Sequence, residues 1–111
     1  MYNGLTKMIS IPVVNGTIIK QARYIIRVQA SSNYCRIYCS DERYPITVAK
    51  VLQWFQNNLP QQDFIRTHRT HLVNKQYIEK KMGNQVFLQN GETICISKRR
   101  MNEMKKKINH F

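Results

Sequence analysis

Three short stretches of this chain carry side chains able to hold an anion: Asn33-Tyr34-Cys35-Arg36, the histidine–arginine run His68-Arg69-Thr70-His71, and Ser97-Lys98-Arg99-Arg100. Lysine and arginine bind phosphate through charge-assisted hydrogen bonds, and the planar fork of arginine also matches the acceptor pair on the edge of guanine. Catalysis suits these residues poorly. The six Asp and Glu are scattered, without the paired carboxylates that acid–base work uses, and no glycine-rich phosphate loop or Ser-His-Asp set can be placed. His68-x-x-His71 beside three cysteines brings zinc into question. Neither CxxC nor HExxH is present, however, and Cys35-x-x-x-Cys39 on a strand points both thiols to one face about two pleats apart. Neither an enzyme activity nor a metal or cofactor is expected.

Charge supports the anion reading. Eighteen Lys and Arg against six Asp and Glu give +12 over 111 residues. The excess is uneven: residues 1–65 carry seven basic and three acidic side chains, net +4, and residues 66–111 carry eleven and three, net +8. Nucleic acid is the commonest partner of so basic a domain. A merely solvated surface, or a basic face resting on anionic lipid or on another protein, is the alternative. Apolar residues make up 42%, enough for one folded domain over 1–111. No apolar run approaches the roughly 18–20 residues that span a bilayer, and Met1-Tyr2-Asn3-Gly4 lacks the layout of a secretion signal. A cytoplasmic location with reduced cysteines is expected, Cys35, Cys39 and Cys95 serving as small core or surface residues.

Strands dominate the pattern that must position these groups. Met8 to Val14 and Thr17 to Lys20 flank Asn15-Gly16, a hairpin dipeptide, and Pro12 marks the first run as an edge strand. Tyr24 to Ala30 and Tyr34 to Ser40 follow, turning at Ser31-Ser32-Asn33, with a short strand near Tyr44 and Ile46. A helix is expected from Thr47, as its cap, to Asn58, with Val48, Val51, Leu52 and Phe55 as one buried stripe. Leu59-Pro60 ends it. Phe64 to Val73 leads into Tyr77-Ile78. Strands return at Gln85 to Gln89 and Thr93 to Ser97 around Asn90-Gly91. A helix from Lys98 to Asn109, capped by Ser97 and apolar at Met101, Met104 and Ile108, closes the chain.

The segment Phe64-Ile65-Arg66-Thr67-His68-Arg69-Thr70-His71-Leu72-Val73-Asn74, with Ile78 four residues on, resembles the central signature of LytTR domains. Around it, Ile26 to Tyr34 resembles that family's strand ending in an Ala/Ser-Asn-Tyr turn. Leu59-Pro60 before Phe64, and Asn90-Gly91 through Ile94, Ile96, Ser97, Lys98 and Arg99, resemble its Leu-Pro and its last hairpin. The likeness spans about residues 8–110. It implies a mainly β (α+β) fold, an elongated arrangement of small antiparallel β-sheets with two short helices. It also implies a response-regulator output domain of a bacterial two-component system. Such a domain binds double-stranded promoter DNA through strand-end loops, at paired direct repeats and with a second copy on the DNA, and needs no membrane.

From the resemblance, Arg69 is the first candidate to read a base; an exposed strand charge is its alternative. His68 is a hinge or packing residue, or a phosphate contact, and His71 stands where the family has an aromatic. A helix starting at Ser97 offers backbone amides to a phosphate, with Arg99 assigned to a base and Lys98, Arg100 and Ser97 to phosphate. Many family members have Arg where this chain has Lys98, which lacks the planar fork. The resemblance also places a DNA contact around Cys35. A thiol is a weak donor, so either fewer bases are read there or Asn33 or Arg36 takes over; Cys35 and Asn33 are the base-reading candidates of this turn and Arg36 a phosphate candidate. Lys105-Lys106-Lys107 is solvated or a loose backbone contact. Binding to RNA or single strands through stacking on the tyrosines, phenylalanines and Trp54 is the rival function.

Overall fold

A computed structural model describes the backbone of residues 4–107 and the side chains of residues 4–104. The end of the closing helix at Asn109, Ile108 of its stripe and the Lys105 to Lys107 side chains lie outside the described residues. Among the described residues, ten strands form three antiparallel sheets. β1 (Met8–Val13) and β2 (Gly16–Gln21) make a two-stranded ribbon. β3 (Ile25–Ser31), β4 (Tyr34–Cys39), β5 (Ile46–Val48), β6 (Phe64–His68) and β7 (His71–Asn74) form the central sheet, in the order β5-β4-β3-β7-β6. β8 (Ile78–Met82), β9 (Gln85–Leu88) and β10 (Thr93–Cys95) form the third. The helices are α1 (Leu52–Asn58) and α2 (Lys98–Lys107). The molecule measures 41 × 37 × 25 Å, so the elongation implied by the resemblance takes the form of a flat slab.

The central sheet is apolar on both faces near β6 and β7. Phe64 and Leu72 join Val28, Ile37, Leu52 and Phe55, with Ile9 and Ile11 of the ribbon, in one core. Their neighbours Ile65 and Val73 join Ile78, Val86, Leu88, Ile94, Ile96 and Met104 in the other. Period-two alternation therefore sends successive residues into two different cores. This explains why Phe64-Ile65 and Leu72-Val73 read as continuous apolar pairs.

Buried polar groups lock the layers. Asn74, wholly buried, donates from Nδ2 to the Ile25 carbonyl at 2.9 Å, while its Oδ1 accepts the Gln76 N–H at 3.0 Å. One side chain thus ties β7 to β3 and caps the short turn that leads to β8. Arg27, 6% exposed, reaches across to the β9–β10 loop. Its Nε and Nη2 donate to the Glu92 carboxylate at 3.2 and 2.8 Å, its Nη1 to Gln29, and its guanidinium lies 3.8 Å over the Tyr38 ring.

Three elements differ from the sequence pattern, one of them β8, which falls where no strand is expected. α1 begins at Leu52 with Val51 as its extended N-cap residue, not at Thr47. Thr47 instead pairs with Arg36, and Val48 with Cys35, in β5, where Val48 is buried and Val51 is 63% exposed. Strand pairing of a β-branched triplet outweighs the helical spacing that Val48 and Val51 suggest. The first hairpin turns one residue early, with Gly16 already in β2. The chain does leave α1 at Leu59, extended and bonded to the Phe55 carbonyl at 2.9 Å.

Asn74→Ala should lower unfolding free energy by about 1–3 kcal/mol, the cost of leaving buried backbone groups unpaired. Urea titration checks it, with an unchanged m-value showing that only stability has moved.

Candidate nucleic-acid interface

β3 ends at a Ser32-Asn33 turn, closed by the pair Ser31–Tyr34, with Ser32 at φ 57°. β6 and β7 meet at Arg69-Thr70, and the Thr70 carbonyl accepts the Ala30 N–H at 2.9 Å, which seats this second turn beside the end of β3. The Ser97 N–H donates to the Thr67 carbonyl at 2.9 Å, which seats the start of α2 on β6. Three chain reversals thereby share one end of the central sheet.

His68, Arg69, Ser97, Arg99 and Arg100 line one shallow depression there. Arg69 and Arg99, 30 residues apart in the sequence, line the same depression. Arg69 is exposed at the tip of its turn, Lys98 and Arg99 are exposed in the first turn of α2, and Arg100 is half-buried. Ser97 directly precedes α2, its carbonyl accepting the Arg100 N–H at 3.0 Å. Asn33 is exposed and Arg36 half-buried at the same sheet end but outside that depression. Arg36 donates to the Tyr34 hydroxyl at 3.3 Å.

Cys35 requires a correction. It is wholly buried in β4, because the alternation that turns Tyr34, Arg36 and Tyr38 outward turns Cys35, Ile37 and Cys39 into the core. Burial pushes its thiol pKa up, and that of Cys39 to about 11. A side chain so placed presents nothing to a base edge. All three cysteines are free, and among the described residues no group of three His, Cys, Asp or Glu could hold a metal ion.

The Arg69-Thr70 turn is held by side chains. Thr70 N–H donates to His68 Nδ1 at 3.2 Å, and the Thr70 hydroxyl lies 2.9 Å from Nδ1 of both His68 and His71. With His68 Nδ1 as acceptor, its neutral ring carries the proton on Nε2, and Thr70 Oγ1 can accept from His71 Nδ1–H. Arg66, which the sequence pattern leaves without a role, reaches the turn as well: Nη2 donates to the Arg69 carbonyl at 2.7 Å and Nε to that of His68 at 3.4 Å. Its Nη1 donates to Gln53 and Gln56 of α1 at 3.3 and 3.1 Å. The available signal is an arginine in an otherwise largely buried strand.

Four carboxylates among the described residues have cationic partners, one of them Arg100 of this depression. Asp41 and Glu42 hold the buried Lys20 at 2.9 and 2.8 Å, Glu92 holds Arg27, and Glu103 meets Arg100 at 3.4 Å. Among the described residues, no carboxylate pairs with Arg69, Lys98 or Arg99. Desolvation first, and then the nearby Arg100 charge, lower the Arg66 pKa, a sign of cations crowded at this end.

Together these features define a small antiparallel module that presents two turns and one helix start at one sheet end, with cations on the Arg69 turn and the helix start. The chain belongs to the LytTr DNA-binding domain family, whose model matches residues 15–109. Among solved structures it is similar to the LytTr DNA-binding domain of a protein described as a methyl-accepting/DNA response regulator from Bacillus cereus. The TM-score is 0.75 at 22% identity, over 91% of this chain and 95% of that one. No curated protein sequence matches. No helix among the described residues is long and apolar enough to cross a membrane.

Burial, with Arg27 and His68 adding to it, lowers the His71 pKa below 6.5. The unfolded chain therefore binds the extra proton first, and stability present above about pH 6.5 is lost as pH falls through the folded value. Glu92, held below 4.5 chiefly by its Arg27 hydrogen bonds, titrates in a lower window. Urea unfolding at about pH 7.5 and about pH 5.5 should show this loss in the natural chain and a smaller one in His71→Phe.

Proposed function

We propose that this domain binds double-stranded DNA sequence-specifically, its strand-end turns entering the major groove, and regulates transcription in the cytoplasm of a bacterium. The whole chain acts as one unit, on paired direct repeats that seat a second copy. The observation carrying this reading is that Arg69 and Arg99, from distant segments, line one depression with Arg100 and without a carboxylate partner. Arg69 and Arg99 read base edges, the bidentate guanine contact being the commonest specific one. Lys98, Arg100, Ser97, His68 and Arg36 fix the register on phosphates, and Asn33 takes the reading position that Cys35 vacates. The first turn of α2 has cations and no acidic residue, which opposes the helix dipole; a phosphate at that end offsets the cost.

Stacking on single strands is less well supported. Phe55 and Phe64 are buried, and the exposed rings Tyr24 and Tyr44 stand before β3 and after β4, at the sheet end opposite Arg69 and Arg99.

Selection from random duplexes should return a recurrent pair of half-sites, and on that site Arg69→Ala or Arg99→Ala should each cost about 1–3 kcal/mol while barely affecting scrambled DNA. Equal losses on both would assign these residues to positioning. The log–log salt slope should be about −0.9 per phosphate neutralised, and a single strand of the same sequence should compete poorly.

A further inference from the structure

We infer that Arg66 is the positioning residue of the reading turn, and that Gln53 and Gln56 of α1 orient it, so that discrimination between bases depends on residues that do not touch DNA. The assignment rests on Arg69 being a base contact. Arg69-Thr70 contains none of Gly, Asn, Asp or Pro, the residues that make tight turns locally cheap. The only non-glycine residue with positive φ among those described is Ser32, so ordinary backbone angles build this turn and side chains must hold it. Arg66 directs four of its five N–H donors inward: two to the carbonyls of His68 and Arg69, two to the glutamine amides.

Three consequences follow from that geometry. The Arg69 carbonyl, at the tip of a turn meant to face phosphates, is covered by a cation instead of presenting bare negative charge to an anion. A planar fork bridges two carbonyls and two amides at fixed angles, which an ammonium group cannot do. The turn is ordered before DNA arrives, so Arg69 does not lose that freedom on binding. Spent in this way, Arg66 has little left to offer a phosphate. α1, through Gln53 and Gln56, becomes part of the apparatus that aims Arg69 although it lies on the other side of β6 from α2.

The test uses Arg66→Lys, which keeps the charge and removes the fork. In the free protein, exchange of the Thr70 amide should quicken on the order of 10-fold. On DNA, the preference for the selected site over a scrambled one should fall several-fold with the salt slope unchanged. In an Arg69→Ala background the same change should cost no further preference, the signature of a residue acting through another. Gln56→Met should shift exchange and preference in the same directions by less, and serves if Arg66→Lys folds poorly. Unchanged Thr70 exchange would overturn the proposal. So would an Arg66→Met variant that lowers the salt slope by about one phosphate while preference persists, which marks a phosphate contact. If Thr70 loosens but Arg69→Ala leaves preference intact, Arg66 holds the turn without governing specificity: the reading of Arg69 has failed, not the geometry.

Discussion

The β6–β7 hairpin is buried on both faces, and the rest of the molecule depends on that. Phe64 and Leu72 enter one core, Ile65 and Val73 the other. At roughly 1.5–3 kcal/mol for each large apolar side chain removed from water, these four contribute on the order of 6–12 kcal/mol. Exposed ion pairs are worth about 0–1 kcal/mol each, so packing and not charge decides where the hairpin sits. A strand pair gripped from both sides leaves only its turn outside, and that turn is Arg69-Thr70. The same burial brings α2 to β6 through Met104, and with it Arg99. The meeting of two distant arginines is thus a consequence of hydrophobic layering.

Charge then acts on a scaffold already set. Four of the six carboxylates have cationic partners: Asp41 and Glu42 on Lys20, Glu92 on Arg27, Glu103 on Arg100. The first two pairings brace the ribbon and the loop after β4, the third braces the outer sheet against the central one. The positive charge at the turn end is therefore weakly opposed, and a domain of net charge +12 sets the exposed Arg69 and Arg99 together where the turns converge. Long-range attraction of a polyanion follows from the total, and recognition from the placement.

Much of this was legible in the residues. Asn90-Gly91 marks the β9–β10 connection, where Gly91 takes φ +91°, and Leu59-Pro60 marks the end of α1. Arg69 and Arg99 were singled out by the family pattern, and the fold makes them neighbours. Other features were hidden by competing physics. No strand is expected at β8, where Glu79-Lys80-Lys81 interrupts the apolar pattern, although an edge strand tolerates charge on its outer side. The start of α1 was misplaced because Val48 and Val51 fit helical spacing, while β5 had a partner in β4 that no local pattern reveals. The resemblance places a DNA contact around Cys35, yet Cys35 stands one residue inside the strand, on the inward side of the pleat. Arg66 passed without a role because its partners, Gln53, Gln56 and the carbonyls of its own turn, meet only in three dimensions.

The most direct test is to map the bound surface by amide chemical shifts, titrating the labelled domain with a selected duplex. The largest changes should fall together on residues 31–34, 68–71 and 97–100, with the β1–β2 ribbon and the β8–β9 hairpin little affected. Changes centred on either of those hairpins, with the Arg69 and Arg99 segments silent, would contradict the account.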